Sequence, residues 1–121
     1  MHWPYTLEGI IPNTVLSING VSCDEFAIRI KYTVSPPFPA DRRVWKETLK
    51  WQMLEWDIEI KDDLGTSYQY GGGATGTNEG VRSVVPCVPR EATWVMITIH
   101  PYMRDKPVYS FNIKASDILR E

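Results

Sequence analysis

Alternation of apolar and polar residues with a period of two runs through most of the chain, and it leaves room for little except β-structure. In EFAIRIKYTV, Phe26, Ile28, Ile30, Tyr32 and Val34 point one way, and Ala27, Arg29, Lys31 and Thr33 the other. LEWDIEIKD repeats the pattern, with Leu54, Trp56, Ile58 and Ile60 set against Glu55, Asp57, Glu59 and Lys61. Toward the C-terminus, VYSFNIKA sets Tyr109, Phe111 and Ile113 against Ser110, Asn112 and Lys114. A polar set this consistent belongs to a sheet with one face in water. TWVMITIH is apolar on both faces and reads as a central strand, whereas TVLSINGV and VRSVV are weaker strands. No segment carries a helical period with caps. ADRRVWKETLKWQMLEW comes nearest, as one short turn around Arg42–Lys46 or a continuation of the following strand. ASDILRE is a final helical turn or a frayed tail.

The breaks between these runs fall at regular intervals. SPPFPADRR carries three prolines, which cannot sit inside a ladder. DDLG has the composition of a tight hairpin turn with Gly65 at positive φ, and NGVSCDE, PCVPREA and HPYMRDKP supply further corners. Seven strands follow, at Thr14–Ser22, Glu25–Val34, Lys50–Lys61, Thr66–Tyr70, Val81–Val85, Thr93–Pro101 and Pro107–Ala115, with an additional edge strand expected around Tyr5–Ile11. Short strands joined by short turns predict an all-β, immunoglobulin-like antiparallel sandwich of seven to eight strands. At 121 residues it forms a single domain, with 1–13 as an edge strand or extension and 116–121 as a tail.

Composition removes several classes of function. A formal charge of −2 provides no domain-wide basic field for nucleic acid. No apolar run approaches the ~20 residues that span a bilayer. MHWPYTLEGI lacks the cationic start and apolar core of a secretory leader, so the literal expectation is a cytoplasmic protein, or an excised domain with an added Met1. Cys23 and Cys87 are the two cysteines, and His2 and His100 the two histidines. No Cys-x-x-Cys spacing exists for a structural metal. The expectation is no metal and no cofactor, with free thiols and a disulfide both open for the cysteine pair.

The second half of the chain resembles bacterial immunoglobulin-like domains of unknown function. A turn of the form Asp-x-x-Gly-x-x-Tyr (Asp62, Gly65, Tyr68) leads to a strand, then Pro-x-x-Pro-x-x-Ala (Pro86, Pro89, Ala92), then an apolar strand through Val95. These are corner and turn motifs, so the resemblance implies a fold and no chemistry. The chain departs from antibody domains in placing Cys87 at a corner, with no Tyr-x-Cys before it.

The segment from Asp62 to Ser83 holds Gly71, Gly72, Gly73, Gly76 and Gly80. A phosphate cradle needs a helix behind the glycines and usually a lysine. Here the next lysine is Lys106 and the following segment alternates as a strand. The expectation is a flexible connection, among the least ordered parts of the chain. His100, Asp105 and Ser110 lack the strained nucleophile turn of a hydrolase. The row Glu55, Asp57 and Glu59 reads as a solvated strand face. No enzyme is expected.

Two surfaces remain. Loops grouped at one end of such a sandwich carry Phe38, Arg42, Arg43, Trp45, Tyr102, Arg104 and Lys106, residue types favoured at binding hot spots. They predict a protein-binding end. Trp51, Met53, Trp94 and Met96 share the outward parity of two neighbouring strands and predict a contact patch. That patch is covered either by the chain's own Trp3–Pro4–Tyr5 segment or Trp45 loop, or by a second copy in a homodimer. The alternative function is a sugar- or lipid-binding module that uses Trp and Tyr rings as platforms. Cys23 and Cys87 fall on turns at the opposite end, near each other.

Overall fold

A computed structural model describes residues 3–11, 14–37, 56–76, 78–101 and 108–120. The strands, in chain order, are β1 (Tyr5–Ile11), β2 (Thr14–Cys23), β3 (Ile28–Ser35), β4 (Asp57–Asp62), β5 (Gln69–Thr75), β6 (Glu79–Val85), β7 (Trp94–His100) and β8 (Tyr109–Lys114). A 3-10 turn (Ala115–Asp117) and a short strand β9 (Leu119–Arg120) close the chain. The larger sheet runs β1-β2-β3-β6-β5, with β9 parallel to β2, and the smaller runs β4-β7-β8. This is the antiparallel sandwich expected, with the strand distribution of a constant-type immunoglobulin-like domain plus an edge strand.

The inward sets of β3, β4, β7 and β8 are those the alternation selects. Ile28, Ile30, Tyr32, Val34, Trp56, Ile58, Ile60, Val95, Ile97, Ile99, Phe111 and Ile113 are all buried. Burial of side chains this size stabilises by roughly 1.5–3 kcal/mol each, and they form one continuous core. β7 is the central strand of its sheet, as its two apolar faces require.

Three expectations are corrected. Alternation puts Phe26 in the inward set and Ala27 in the outward one, yet Phe26 is 72% exposed and Ala27 is buried. The cause is Asp24, whose Oδ1 accepts the backbone N–H of both Phe26 and Ala27 at 2.8 and 2.9 Å. That carboxylate makes Asp24–Ala27 a turn, and β3 starts only at Ile28. Second, DDLG does not fold β4 back beside β5. Gly65 does take positive φ, 74°, but the turn carries the chain from the small sheet to the far edge of the large one, where β5 pairs with β6. Third, the glycine stretch is a strand. Gly71, Gly72 and Gly73 lie within β5, and Ala74 and Thr75 complete its ladder against Val81 and Gly80. A register shift between Tyr70 and Gly72 marks a bulge, and Gly72 adopts φ 107° there, a conformation that favours glycine.

β2 reads as a weak strand for a related reason. Its register shifts between Ile18 and Gly20. The inward parity therefore changes along it, from Leu16 and Ile18 to Val21 and Cys23. A single period-two template cannot fit both halves. The C-terminal residues are also ordered: Ile118 is buried, and β9 pairs Leu119 with Ser22 and Arg120 with Cys23.

Candidate interaction surfaces

At one end of the sandwich three connections leave together. The β5–β6 turn lies against the end of β3, where the Val34 N–H donates to the Asn78 carbonyl at 2.8 Å. On the small sheet, Asp57 opens β4 directly opposite His100, the last residue of β7. The β3–β4, β5–β6 and β7–β8 connections thus share an end, as expected. Phe38, Arg42, Arg43, Trp45, Trp51, Met53, Tyr102, Arg104 and Lys106 lie outside the described residues.

Beneath that end the two sheets are joined by an interlock of rings and one guanidinium. Trp56 is buried and meets Tyr32 edge-on, with centroids 5.1 Å apart. The Arg82 guanidinium stacks over the Trp56 ring at 4.1 Å and lies 6.0 Å from the Tyr70 ring. Arg82 is buried at an inward position of β6, where alternation calls for an aliphatic side chain. Cation–π stacking of a desolvated guanidinium contributes about 2 kcal/mol. The Trp56 indole N–H has no hydrogen-bond partner among the described residues. In sequence, VRSVV gives no sign that its arginine, Arg82, faces inward.

A cleft of about 420 Å³ follows the seam between β4, the edge of the small sheet, and β5, the edge of the large one. Asp57, Glu59, Lys61, Tyr68, Tyr70 and His100 line it. Glu59 pairs with His100 at 3.3 Å and with Lys61 at 3.7 Å, all at exposed positions. Of the acidic row, Asp57 and Glu59 therefore lie on a solvated strand face, with charges of both signs interspersed, and Glu55 lies outside the described residues.

The opposite end is built from carboxylates that hold backbone. Asp62 is buried and accepts from the N–H groups of Leu64 (2.9 Å) and Thr66 (3.1 Å) and from the Tyr68 hydroxyl (2.6 Å). Burial alone would raise its carboxyl. The hydrogen bonds from Thr66, Tyr68 and Leu64 outweigh burial and lower it to about 2. Burial, and then its bond to Asp62, push the Tyr68 phenol well above its ordinary range. The Asp-x-x-Gly-x-x-Tyr turn is thus a sheet-to-sheet corner. Asp63 extends it, accepting from Thr93 at 2.8 Å and Trp94 at 3.3 Å, and these bonds, the Thr93 one first, hold its carboxyl below the usual range. Asp24 is lowered likewise by the Phe26 and Ala27 N–H groups and by Arg29. These three carboxylates are structural.

Cys23 and Cys87 meet at this end as well, and both are free thiols. Cys23 is buried, and its Sγ accepts the Val88 N–H at 3.4 Å. Burial, then the adjoining Cys87 thiol, push Cys23 up to about 12.

The outer face of the small sheet carries Trp94, 41% exposed, and Met96, half-buried. Their register neighbours are Lys114 for Trp94, and Lys61 and Asn112 for Met96. Farther along, Thr98 and Ser110 share a hydrogen bond at 2.9 Å. Among the described residues, the N-terminal segment does not cover this face. Trp3 and Tyr5 instead stack on Phe111, an inward residue of β8, with centroids at 6.3 and 4.5 Å, and the Tyr109 hydroxyl donates to the Glu8 carbonyl.

Among the described residues no group of three or more His, Cys, Asp or Glu could hold a metal ion. Nor is any helix among them long and apolar enough to cross a membrane. No family model matches the chain, and no curated protein matches it. A solved structure of a conserved domain protein from Bacillus anthracis is similar over 92% of this chain, at 16% identity and a TM-score of 0.45. The chain spans 47% of that protein's length.

Proposed function

We propose that the chain is a non-enzymatic interaction module that binds a protein partner through the loop-bearing end of its sandwich. The observation that carries this reading is the shared exit of the β3–β4, β5–β6 and β7–β8 connections, marked by the Val34–Asn78 hydrogen bond and the Asp57–His100 register pair. By sequence, those connections hold Phe38, Arg42, Arg43, Trp45, Tyr102 and Arg104. Large amphipathic rings and guanidinium groups on adjacent loops, set on a rigid two-sheet base, are the usual composition of a protein-binding patch. At the other end Asp24, Asp62 and Asp63 are already engaged in holding turns. The test is native co-purification with quantitative mass spectrometry, comparing the wild type with an Arg42→Ala/Arg104→Ala double variant of unchanged circular dichroism. Loss of the main partner supports the reading. Retention of every wild-type partner at wild-type abundance refutes it.

A second reading, a small-molecule module with aromatic platforms, rests on the cleft at the β4–β5 seam. Its two rings are Tyr68 and Tyr70, and Tyr70 is 57% exposed. Trp56 is occupied in the core. Quenching of tyrosine fluorescence by a panel of sugars and lipids, abolished by Tyr70→Ala, would favour this reading over the first. Self-association through Trp51, Met53, Trp94 and Met96 is a separate proposal, supported by the exposure of Trp94. A monomer at high concentration in light scattering would refute it.

A further inference from the structure

The end remote from the loops holds a constellation that neither reading uses. Cys23 ends β2, and Cys87 sits on the β6–β7 corner, half-buried. The residue after Cys87, Val88, donates its N–H to the Cys23 sulfur at 3.4 Å, and the Cys87 thiol donates to the Val88 carbonyl at 3.5 Å. One residue, Val88, thus touches both sulfurs, that of Cys23 through its N–H and that of Cys87 through its carbonyl. Arg120 completes the group. β9 places it in register with Cys23, and its Nη1 donates to the Cys87 sulfur at 3.3 Å.

We propose that Cys87 and Cys23 are a peroxide-sensitive dithiol in which Cys87 is the attacking sulfur, Cys23 the resolving one, and Arg120 the cation that supports the attack. The asymmetry of the site assigns these roles. Cys23 is sealed in the core and held as a protonated thiol, so it is a poor first nucleophile. Cys87 reaches the surface, and the neighbouring guanidinium meets negative charge that builds on its sulfur. In the first step the Cys87 thiolate attacks the terminal oxygen of a hydroperoxide. The O–O bond breaks, the departing oxygen takes up a proton and leaves as water or an alcohol, and Cys87 becomes a sulfenic acid. In the second, the Cys23 sulfur attacks the Cys87 sulfur. The S–O bond breaks, and the sulfenic oxygen leaves as water with the proton of Cys23. Two thiols lose two electrons, the hydroperoxide gains two, and a disulfide ties β2 to the β6–β7 corner.

The probe is hydrogen peroxide on the reduced, full-length chain, quenched by alkylation and read by intact mass and peptide mapping. The expected product is an unalkylated monomer, about two mass units lighter, with a linked Cys23–Cys87 peptide. Closing so long a loop is expected to raise the melting temperature by about 10 °C. In Cys23→Ser, Cys87 is trapped by a sulfenic-acid reagent such as dimedone. In Cys87→Ser, Cys23 stays fully available to alkylation after denaturation. Arg120→Gln slows loss of the Cys87 thiol by about threefold to fivefold, the effect of one partly exposed charge contact. Intermolecular dimers as the main product would overturn the proposal. So would survival of both thiols at peroxide doses that oxidise free cysteine in the same tube, or a Cys87→Ser variant that loses Cys23 at the wild-type rate.

Discussion

The two sheets obey the same alternation rule with different fidelity. In the small sheet every inward position of β7 from Val95 to Ile99, and of β8 from Phe111 to Ile113, is a buried apolar residue, and the outer face is polar apart from Trp94 and Met96. In the large sheet, β6 presents Gly80, Arg82 and Val84 to the interior. The glycine leaves a hole and the arginine brings a charge. The first is answered within the sheet, where the cross-strand neighbour Tyr32 fills the space at Gly80, and the second by Trp56, which lies under Arg82. A regular sheet needs only apolar side chains of suitable size. An irregular one needs particular partners, so substitutions there should cost more.

The largest effect is expected at Gly80. A methyl group built on it would overlap the Tyr32 hydroxyl and ring and lie 2.8 Å from the Ala74 carbonyl oxygen. Overpacking of this kind costs about 1–3 kcal/mol, and Gly80→Ala should fall at the upper end because backbone forms one wall. Gly20 is the control, since nothing lies within 4 Å of its added Cβ. Gly20→Ala should change stability by no more than about 0.5 kcal/mol. Urea unfolding of the two variants decides the matter. Equal costs would mean that the close fit of Tyr32 over Gly80 is not what holds β3 against β6.

Next in size is the corner where the chain passes from one sheet to the other. Asp62→Ala strips the N–H groups of Leu64 and Thr66 and the Tyr68 hydroxyl of their acceptor, and should cost about 2–3 kcal/mol. The same carboxylate imposes a pH dependence. Its pKa falls from 3.8 to about 2 on folding. Its contribution is therefore fully present above about pH 4 and is lost as pH falls through about 2. That contribution is about 1–2 kcal/mol after allowance for solvent screening. Denaturant titrations between pH 5 and pH 2 should show the decline in the wild type and a shallower one in Asp62→Asn. Parallel slopes would assign the acid sensitivity to other carboxylates, Asp24 and Asp63 among them.

The same contrast explains what could be read from sequence. β3, β4, β7 and β8 were legible because each keeps one parity from end to end, and a strand with one wet face prints that parity directly. β5 was not, because Gly71–Gly73 have no side chains to alternate and their composition is that of a loop. What makes them a strand is pairing with β6, a long-range fact that no local window contains. The turn carboxylates were half-legible. The Asp-x-x-Gly-x-x-Tyr spacing marked a corner at Asp62, but hairpin and sheet crossing share that spacing. Asp24 looks like one more polar residue until its carboxylate is seen holding Phe26 and Ala27. Of the candidate surfaces, the grouping of loops at one end followed from strand order, and so did the meeting of Cys23 and Cys87. Arg82 did not, since an inward arginine is recognisable only once Trp56 is seen beneath it.

The smallest effect is expected where the small sheet meets water beside the β4–β5 cleft. Glu59 and His100 lie 3.3 Å apart, but their side chains are 51% and 42% exposed. Both are already solvated, so the pair gains little Coulomb energy and loses rotamer freedom when it forms. His100→Gln and Glu59→Gln should each change unfolding free energy by less than about 0.5 kcal/mol, and the double variant should show coupling no larger than that. Melting curves at low and high salt supply the check, with the wild type and the variants expected to move together. A measured coupling near 2 kcal/mol would mean that the rim of the regular sheet, like the interior of the irregular one, depends on particular partners. A negligible coupling leaves the charged lining of the cleft free to change without cost to the fold, the property a surface needs if it is to be shaped by a ligand.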